Sequence, residues 1–192
     1  NANLQTLASV NLALRRLGTD STSRASLSDQ RDQLIDSIAA QIGVTATLDD
    51  SGVATLTLTG SSALLLDNAS PAHLSLQQAS DGRLALSLSL PNGDNVAANP
   101  TTGGLAGLID VASTVATRRV QLNGIAADFT ATVNGWQAQG KDAAGNAGVP
   151  LLSLSGDAGT LRLATSDPAA IAAASADGTA NGNLLALQTL RD

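Results

Sequence analysis

The 192-residue chain contains no cysteine, no methionine and no tyrosine, and its only aromatic side chains are Phe129 and Trp136. Without cysteine there is no disulfide scaffold, no thiolate metal site and no cysteine nucleophile; the absence does not fix the compartment. The shortage of aromatics argues against a catalytic cleft or ligand pocket, which usually carries aromatic lining. A single histidine, His73, rules out ordinary zinc sets. No apolar run reaches the ~18 residues of a membrane span, so no membrane insertion is expected. No basic segment leads into an apolar one at the start, and the chain opens at Asn1 inside a helical pattern, so a trimmed chain is expected. Positive charge is also scarce: 10 Lys and Arg against 16 Asp and Glu give a formal net charge of -6. Nucleic acid is therefore not an expected partner, because its binding depends on basic side chains neutralising phosphates. The pairs Arg15-Arg16 and Arg118-Arg119 read as solvated surface, open at most to contact with protein.

What is present is a 43% hydrophobic fraction supplied almost wholly by Ala, Leu, Val and Ile, enough for a sizeable core. Leu7, Val10, Leu14 and Leu17 form one helical stripe that Gly18 stops. A second helix is expected from Ser26, whose spacing to Asp29 suits a capping box, with Leu27, Leu34, Ile35, Ile38 and Ile42 buried and Gly43 as its end. The period then changes to two. Ala54, Leu56 and Leu58 alternate with threonines, and Leu84, Leu86, Leu88 and Leu90 with Ala and Ser, which predicts half-buried strands. Asp49-Asp50-Ser51-Gly52 and Asp81-Gly82 read as hairpin turns.

From Gly104 the residues Leu105, Leu108, Ala112, Val115, Leu122, Ala126, Phe129, Val133 and Trp136 keep a three-four spacing that only Arg119 interrupts. This predicts one continuous helix over most of Leu105 to Trp136, ~54 Å long if it reaches Gln139. Its apolar seam is expected to pack against both N-terminal helices and the segment around Leu184, Leu187 and Leu190, with Phe129 buried. Arg119, on the seam, either reaches water or meets an acidic partner. Gly140 to Pro150 reads as a loop, Leu151 to Leu154 and Thr160 to Ala164 as paired short strands, and Asp167-Pro168 as the start of a helical turn. The expected fold class is α+β: a discontinuous helical bundle with one long helix over 1–43 and 101–192, a short β element near 150–165, and a small antiparallel β domain inserted over 44–100.

Catalytic chemistry is hard to assemble from these residues. His73 has Ser70 and Asp67 nearby in sequence, but no Gly-x-Ser-x-Gly elbow accompanies it. Asp49-Asp50 and Asp142 with Asn146 lack the carboxylate density of a calcium loop, and Gly103-Gly104 belongs to neither phosphate-binding glycine pattern. No catalytic residue, metal ligand or cofactor-binding residue is therefore assigned. Asn68-Ala69-Ser70 is formally a glycosylation sequon, a motif short enough to arise by chance.

Three segments in order carry a family resemblance. Leu27-Ser28-Asp29-Gln30-Arg31-Asp32-Gln33-Leu34 precedes the β region; Gly103-Gly104-Leu105 runs through Ala126-Ala127-Asp128-Phe129 to Lys141-Asp142-Ala143-Ala144-Gly145-Asn146; and Ala170 to Ser175 leads to Asn181-Gly182-Asn183. Together they resemble the hook-associated proteins of the bacterial flagellar hook-filament junction, as a core without the terminal polymerisation regions. An aromatic pair that follows the family's loop stands here as Leu151-Leu152, and no long insertion separates Ser155 from Leu161. The resemblance implies a secreted axial protein of the extracellular flagellum, exported through the type III apparatus, that joins hook to filament without catalysis or cofactor. Its implied partners are copies of itself in a junction ring, hook protein, a second junction protein or flagellin, and an export chaperone acting through the missing C-terminal region. Subunit contact is expected on the outward face of the long helix, at Arg118 with Asp110, Thr114 and Gln121. Another axial component, such as hook protein or a flagellin-like junction subunit, is the alternative, and a small hydrolase using His73 and Ser70 is a remote one.

Overall fold

The computed structural model describes residues 1–17 and 22–187. Its elements confirm an α+β chain in which helices α1 (Ala2–Arg16) and α2 (Thr22–Gln41) precede seven strands, followed by the long helix α3 (Gly104–Ala138). The chain divides into two compact units between Ala116 and Thr117, inside α3. That cut differs from the expected edges near residues 43 and 100. The physical reason is a shared core: Leu4, Leu7 and Ala8 of α1, Ile38 and Ile42 at the end of α2, and strand residues Leu56, Leu58, Leu65, Leu66, Leu86, Leu88 and Ala98 bury one another. The strands and the two helices thus share one core.

In the first unit the strands make two antiparallel sheets. One has the order β1 (Val44–Leu48), β2 (Ala54–Leu58), β3 (Leu64–Asp67), β4 (Ser70–Pro71); the other is β5 (His73–Gln78), β6 (Leu84–Ser89), β7 (Asn95–Ala98). The period-two reading holds in β2, where Ala54, Leu56 and Leu58 are buried and the threonines between them are half-buried. It fails in β3, where adjacent Leu65 and Leu66 are both fully buried. The register explains this: Leu56 faces Leu66 while Thr57 faces Leu64, so Leu65 is an extra residue in a bulge.

Three hairpins of this unit turn in the same way. Residues Asp49, Ala79 and Leu90 each donate N–H to the carbonyl four positions on, and accept in return from a glycine three positions on. Those glycines, Gly52, Gly82 and Gly93, have φ of 70°, 91° and 90°. This is the three-residue hairpin loop closed by a left-handed residue, a conformation open to glycine at no steric cost. The predicted turns at Asp49–Gly52 and Asp81-Gly82 are both of this kind.

Helix α2 begins earlier than expected. Ser26 and Asp29 lie inside it, so their spacing caps nothing. The buried residue of the motif is instead Arg31, whose Nη1 donates to the Gly52 carbonyl at 2.7 Å while Nε and Nη2 hold Asp32. Arg24 reaches the same turn at the Ser51 carbonyl. The two guanidinium groups tie α2 to the β1–β2 turn by charge-assisted hydrogen bonds. On α1, Asn11 is fully buried: its amide donates to the Ala54 and Asn68 carbonyls and accepts from the Ala54 N–H.

In the second unit β8 (Leu152–Ser153) and β9 (Arg162–Leu163) pair antiparallel, as predicted. Single 3-10 turns at Ala158–Thr160 and Pro168–Ala170 are capped by the Asp157 and Asp167 side chains, the second being the expected Asp-Pro helical turn. A five-residue helix, α4 (Gly182–Ala186), follows. Two more turns here repeat the hairpin bonding, ending on Gly145 and Gly178 at φ 81° and 89°.

Arg31→Ala should lower unfolding free energy by ~1–3 kcal/mol, because the Gly52 carbonyl loses a charged donor in a partly buried place. Arg31→Lys, a point charge without the fork, should restore less than half of that in chemical denaturation. Equal stability of the wild type and the Ala variant would show that the clamp does not hold the hairpin.

Candidate functional site

No constellation of catalytic type appears among the described residues. His73 is exposed on β5 opposite Ser89, whereas Ser70 belongs to the other sheet, and no hydrogen bond joins them. No group of three or more potential metal ligands occurs among those residues, and no helix is long and apolar enough to cross a membrane. The candidate site is therefore a surface, and the long helix supplies it.

Helix α3 is continuous over 35 residues, ~52 Å at 1.5 Å per residue. The expected burial of its seam holds at Ala126 and Trp136, with Leu105 packed on the core, and is corrected by the structure at the larger apolar residues between them. Leu108, Val115, Leu122 and Phe129 are each more than half exposed, Phe129 at 54%. In the first unit only its opening turns join the core, through Leu105 and Ile109. In the second unit the buried side chains of α3 are Ala126, Trp136 and Gln137, with Asn123 and Asn134 half-buried beside them and Arg119, its side chain 58% exposed, at the start of the same line. The cause is the nature of what lies on it. Irregular chain carries backbone groups that need partners, so it is met by amide side chains rather than by leucines.

Asn123 Oδ1 accepts from the Ala158 N–H at 2.9 Å. Asn134 Oδ1 accepts from the N–H groups of Leu151 and Leu152, and its Nδ2 donates to the Leu152 carbonyl. Gln137, fully buried, donates to the Ala170 carbonyl and accepts from the Ala172 N–H. Trp136 Nε1 donates to the Asn183 carbonyl at 2.7 Å, and the Asn183 amide returns bonds to the Trp136 and Ala172 carbonyls. Gly148 is needed in this lock, since a Cβ there would overlap the Gln137 carbonyl oxygen. Thus α4 meets the last turns of α3 through Asn183. Leu184 and Leu187 are more than a third exposed, and Leu190 lies outside the described residues.

Arg119 meets an acidic partner, Asp157, at 3.0 Å. The Gly159 N–H first, and then the Arg119 guanidinium, hold the Asp157 carboxyl below the ordinary aspartate range. Asp177 is lowered further, to about 2, by the Ser175 hydroxyl and the Thr179 N–H. Both carboxyls are exposed, and the sign is that of a depressed acid. Their stabilisation is complete above the unfolded value and is lost as pH falls through the folded one.

Arg118, Asp110, Thr114 and Gln121 are all exposed on α3, and Arg118 donates to the Gln121 side chain at 2.9 Å. Beside the ion pair, Leu122, Ile125, Ala126 and Phe129 line an open apolar groove with Ala158 and Leu161. The residues that the sequence reading missed are Asn123, Asn134, Gln137 and Asn183. Their signal was available as amides on one line of an apolar helix, opposite segments rich in turns.

Phe129→Ala should change unfolding free energy by no more than ~0.5 kcal/mol, the usual range for a surface site. Trp136→Ala, which empties a buried position and orphans the Asn183 carbonyl, should cost ~3–5 kcal/mol. Thermal melts of the two variants check the inversion of the expected seam. In a carbon-detected titration the Asp177 carboxyl should have its midpoint at about 2, and Ser175→Ala should move it upward; an ordinary midpoint in wild type would mean the turn bonds do not persist in solution.

The family described as the flagellar hook-associated protein FlgK helical domain matches residues 1–152. Among solved structures, the flagellar hook junction protein FlgK from Burkholderia pseudomallei is similar, with a TM-score of 0.65 at 22% identity. That alignment covers 80% of this chain and 29% of the other, so this chain spans under a third of that protein's length. A search of curated proteins gives no match. The likeness at this identity is one of fold, and it agrees with the profile match that extends over most of the sequence: the chain belongs to the FlgK helical-domain family of flagellar hook-associated proteins.

Proposed function

We propose that this chain is the body of a flagellar axial subunit that adapts hook to filament, acting mechanically and without catalysis or cofactor. The family match over residues 1–152 carries this reading. The exposed length of α3 supports it, because a subunit that touches neighbours along an axis needs a long, rigid and accessible element. Extracellular location, export as an unfolded chain, and contact with copies of itself, with hook protein and with flagellin or a second junction protein follow from the same reading. An export chaperone would act outside this body.

We place a subunit contact on the α3 face that carries Arg118 and Gln121, with Asp110 and Thr114 toward the helix start. Arg118 has only a neighbouring glutamine in hydrogen-bond contact, so its charge does little for the fold. Arg118→Glu should therefore leave the melting temperature of this chain unchanged. Between subunits the same reversal sets like charges together, at a cost of up to several kcal/mol at each copy. In the full-length protein, cells carrying Arg118→Glu should secrete the subunit normally yet shed filaments and swim poorly. Retained filaments with normal motility would overturn this placement of the contact, and a large fall in melting temperature would show that the residue serves folding instead.

A further inference from the structure

Four Asn-Gly pairs occur in the chain: Asn92-Gly93, Asn123-Gly124, Asn134-Gly135 and Asn181-Gly182. This pair is the one most prone to a spontaneous reaction, since glycine lets its backbone nitrogen reach the preceding side chain. The nitrogen attacks the asparagine Cγ and ammonia leaves, closing a five-membered succinimide. Water then opens the ring at either carbonyl, giving aspartate or isoaspartate. The sum is asparagine plus water going to an acid plus ammonia, with no other reactant. Attack requires the backbone to leave the helical range and the side-chain amide to be free to turn.

Two of the pairs are held against both requirements, and a third against the first. Asn123 and Asn134 lie inside α3, where helical bonds fix the following N–H, and both side chains are engaged by the backbone of 151–158. Asn181 is exposed and its side chain caps nothing, but the backbone at Gly182 is crowded and its N–H is bonded to the Thr179 carbonyl. A Cβ at Gly182 would sit 2.6 Å from the Ser175 hydroxyl, and the next residue is the buried Asn183. Asn92 differs in the room its backbone has. It is exposed at the tip of the β6–β7 hairpin; Gly93 has open space around it; and one bond, from the Gly93 N–H to the Leu90 carbonyl, restrains the attacking nitrogen. Its side chain donates to the Asp94 carboxylate and accepts from the Asp94 N–H, two bonds that are exposed to water and lie within the same short loop, so they move with it.

We propose that Asn92 is a site of spontaneous deamidation, selected by the fold from the four Asn-Gly pairs. Conversion sets a second carboxylate beside Asp94, and the isoaspartyl product adds a backbone carbon to a three-residue loop. The hairpin tip thus changes charge and length with the age of the protein, without an enzyme.

The test is timed incubation of the folded chain in mildly alkaline buffer, then peptide mapping that separates asparagine, aspartate and isoaspartate at all four positions. Asn92 should convert at least about tenfold faster than the other three, whose reaction waits on larger opening of the structure. The same measurement in denaturant should bring the four rates together. Equal rates in the folded chain, or faster loss at Asn181, would overturn the proposal. So would an unchanged preference for Asn92 in denaturant, because local sequence and not the fold would then be making the selection.

Discussion

Buried backbone has to be hydrogen-bonded, and this constraint governs both units. Each contains stretches of chain that turn too often to satisfy themselves by regular pairing. The buried polar side chains among the described residues are Asn11, Arg31, Gln137 and Asn183. All four bond to backbone: Asn11 to Ala54 and Asn68, Arg31 to Gly52, Gln137 to Ala170 and Ala172, Asn183 to Trp136 and Ala172. No buried side-chain nitrogen or oxygen among those residues lacks a partner. An amide suits the task because it both donates and accepts, as Asn11 does across the start of β2 and Gln137 across the 170–172 segment. Leucines at these positions would leave buried carbonyls and N–H groups unpaired, a penalty that their apolar packing would not offset.

The same constraint explains the residues that carry the family likeness. In the stretch from Leu27 to Leu34, Arg31 is the one fully committed to the fold, reaching the first hairpin turn from α2. Asn183 closes the far end of the third segment by exchanging bonds with Trp136. Asp142, in the loop after α3, accepts from the N–H groups of Ala144 and Asn146 and so shapes the Gly145 turn. These are joints between a helix or strand and an irregular segment. Apolar neighbours can trade volume with one another, whereas a joint needs a donor or acceptor at one defined point.

Periodicity and turn chemistry made most of the elements legible. The alternation in β2 and β6, the glycine turns, the β8–β9 pair, the Asp-Pro turn and the full length of α3 follow from local rules, and the structure contains each. Two kinds of information were not local. The core of the first unit joins α1 and α2 to both sheets, which no single segment announces. The face of α3 was misjudged for a different reason. A three-four apolar spacing shows that a helix has an apolar stripe, but not that this chain covers it. Leu108, Val115, Leu122 and Phe129 keep the spacing and remain exposed. The covered line was written in amides and alanines, which hydropathy alone undervalues.

Helix α3 is therefore not held by its most hydrophobic side. Gly107, Gly124 and Gly135 stand in open space, so no close approach of other chain explains them, and each lowers helix propensity by ~1 kcal/mol relative to alanine. A helix of that composition needs tertiary support. It receives support at its opening turns from the core around Ile38 and Ile42, and at its closing turns from Trp136, Gln137 and Asn183. Between them the Arg119–Asp157 pair and the Asn123 bond hold one line, leaving the apolar stripe uncovered. Folding and exposure are thus assigned to different faces of one helix. A contact made on the uncovered stripe would therefore break none of the bonds on which the fold depends.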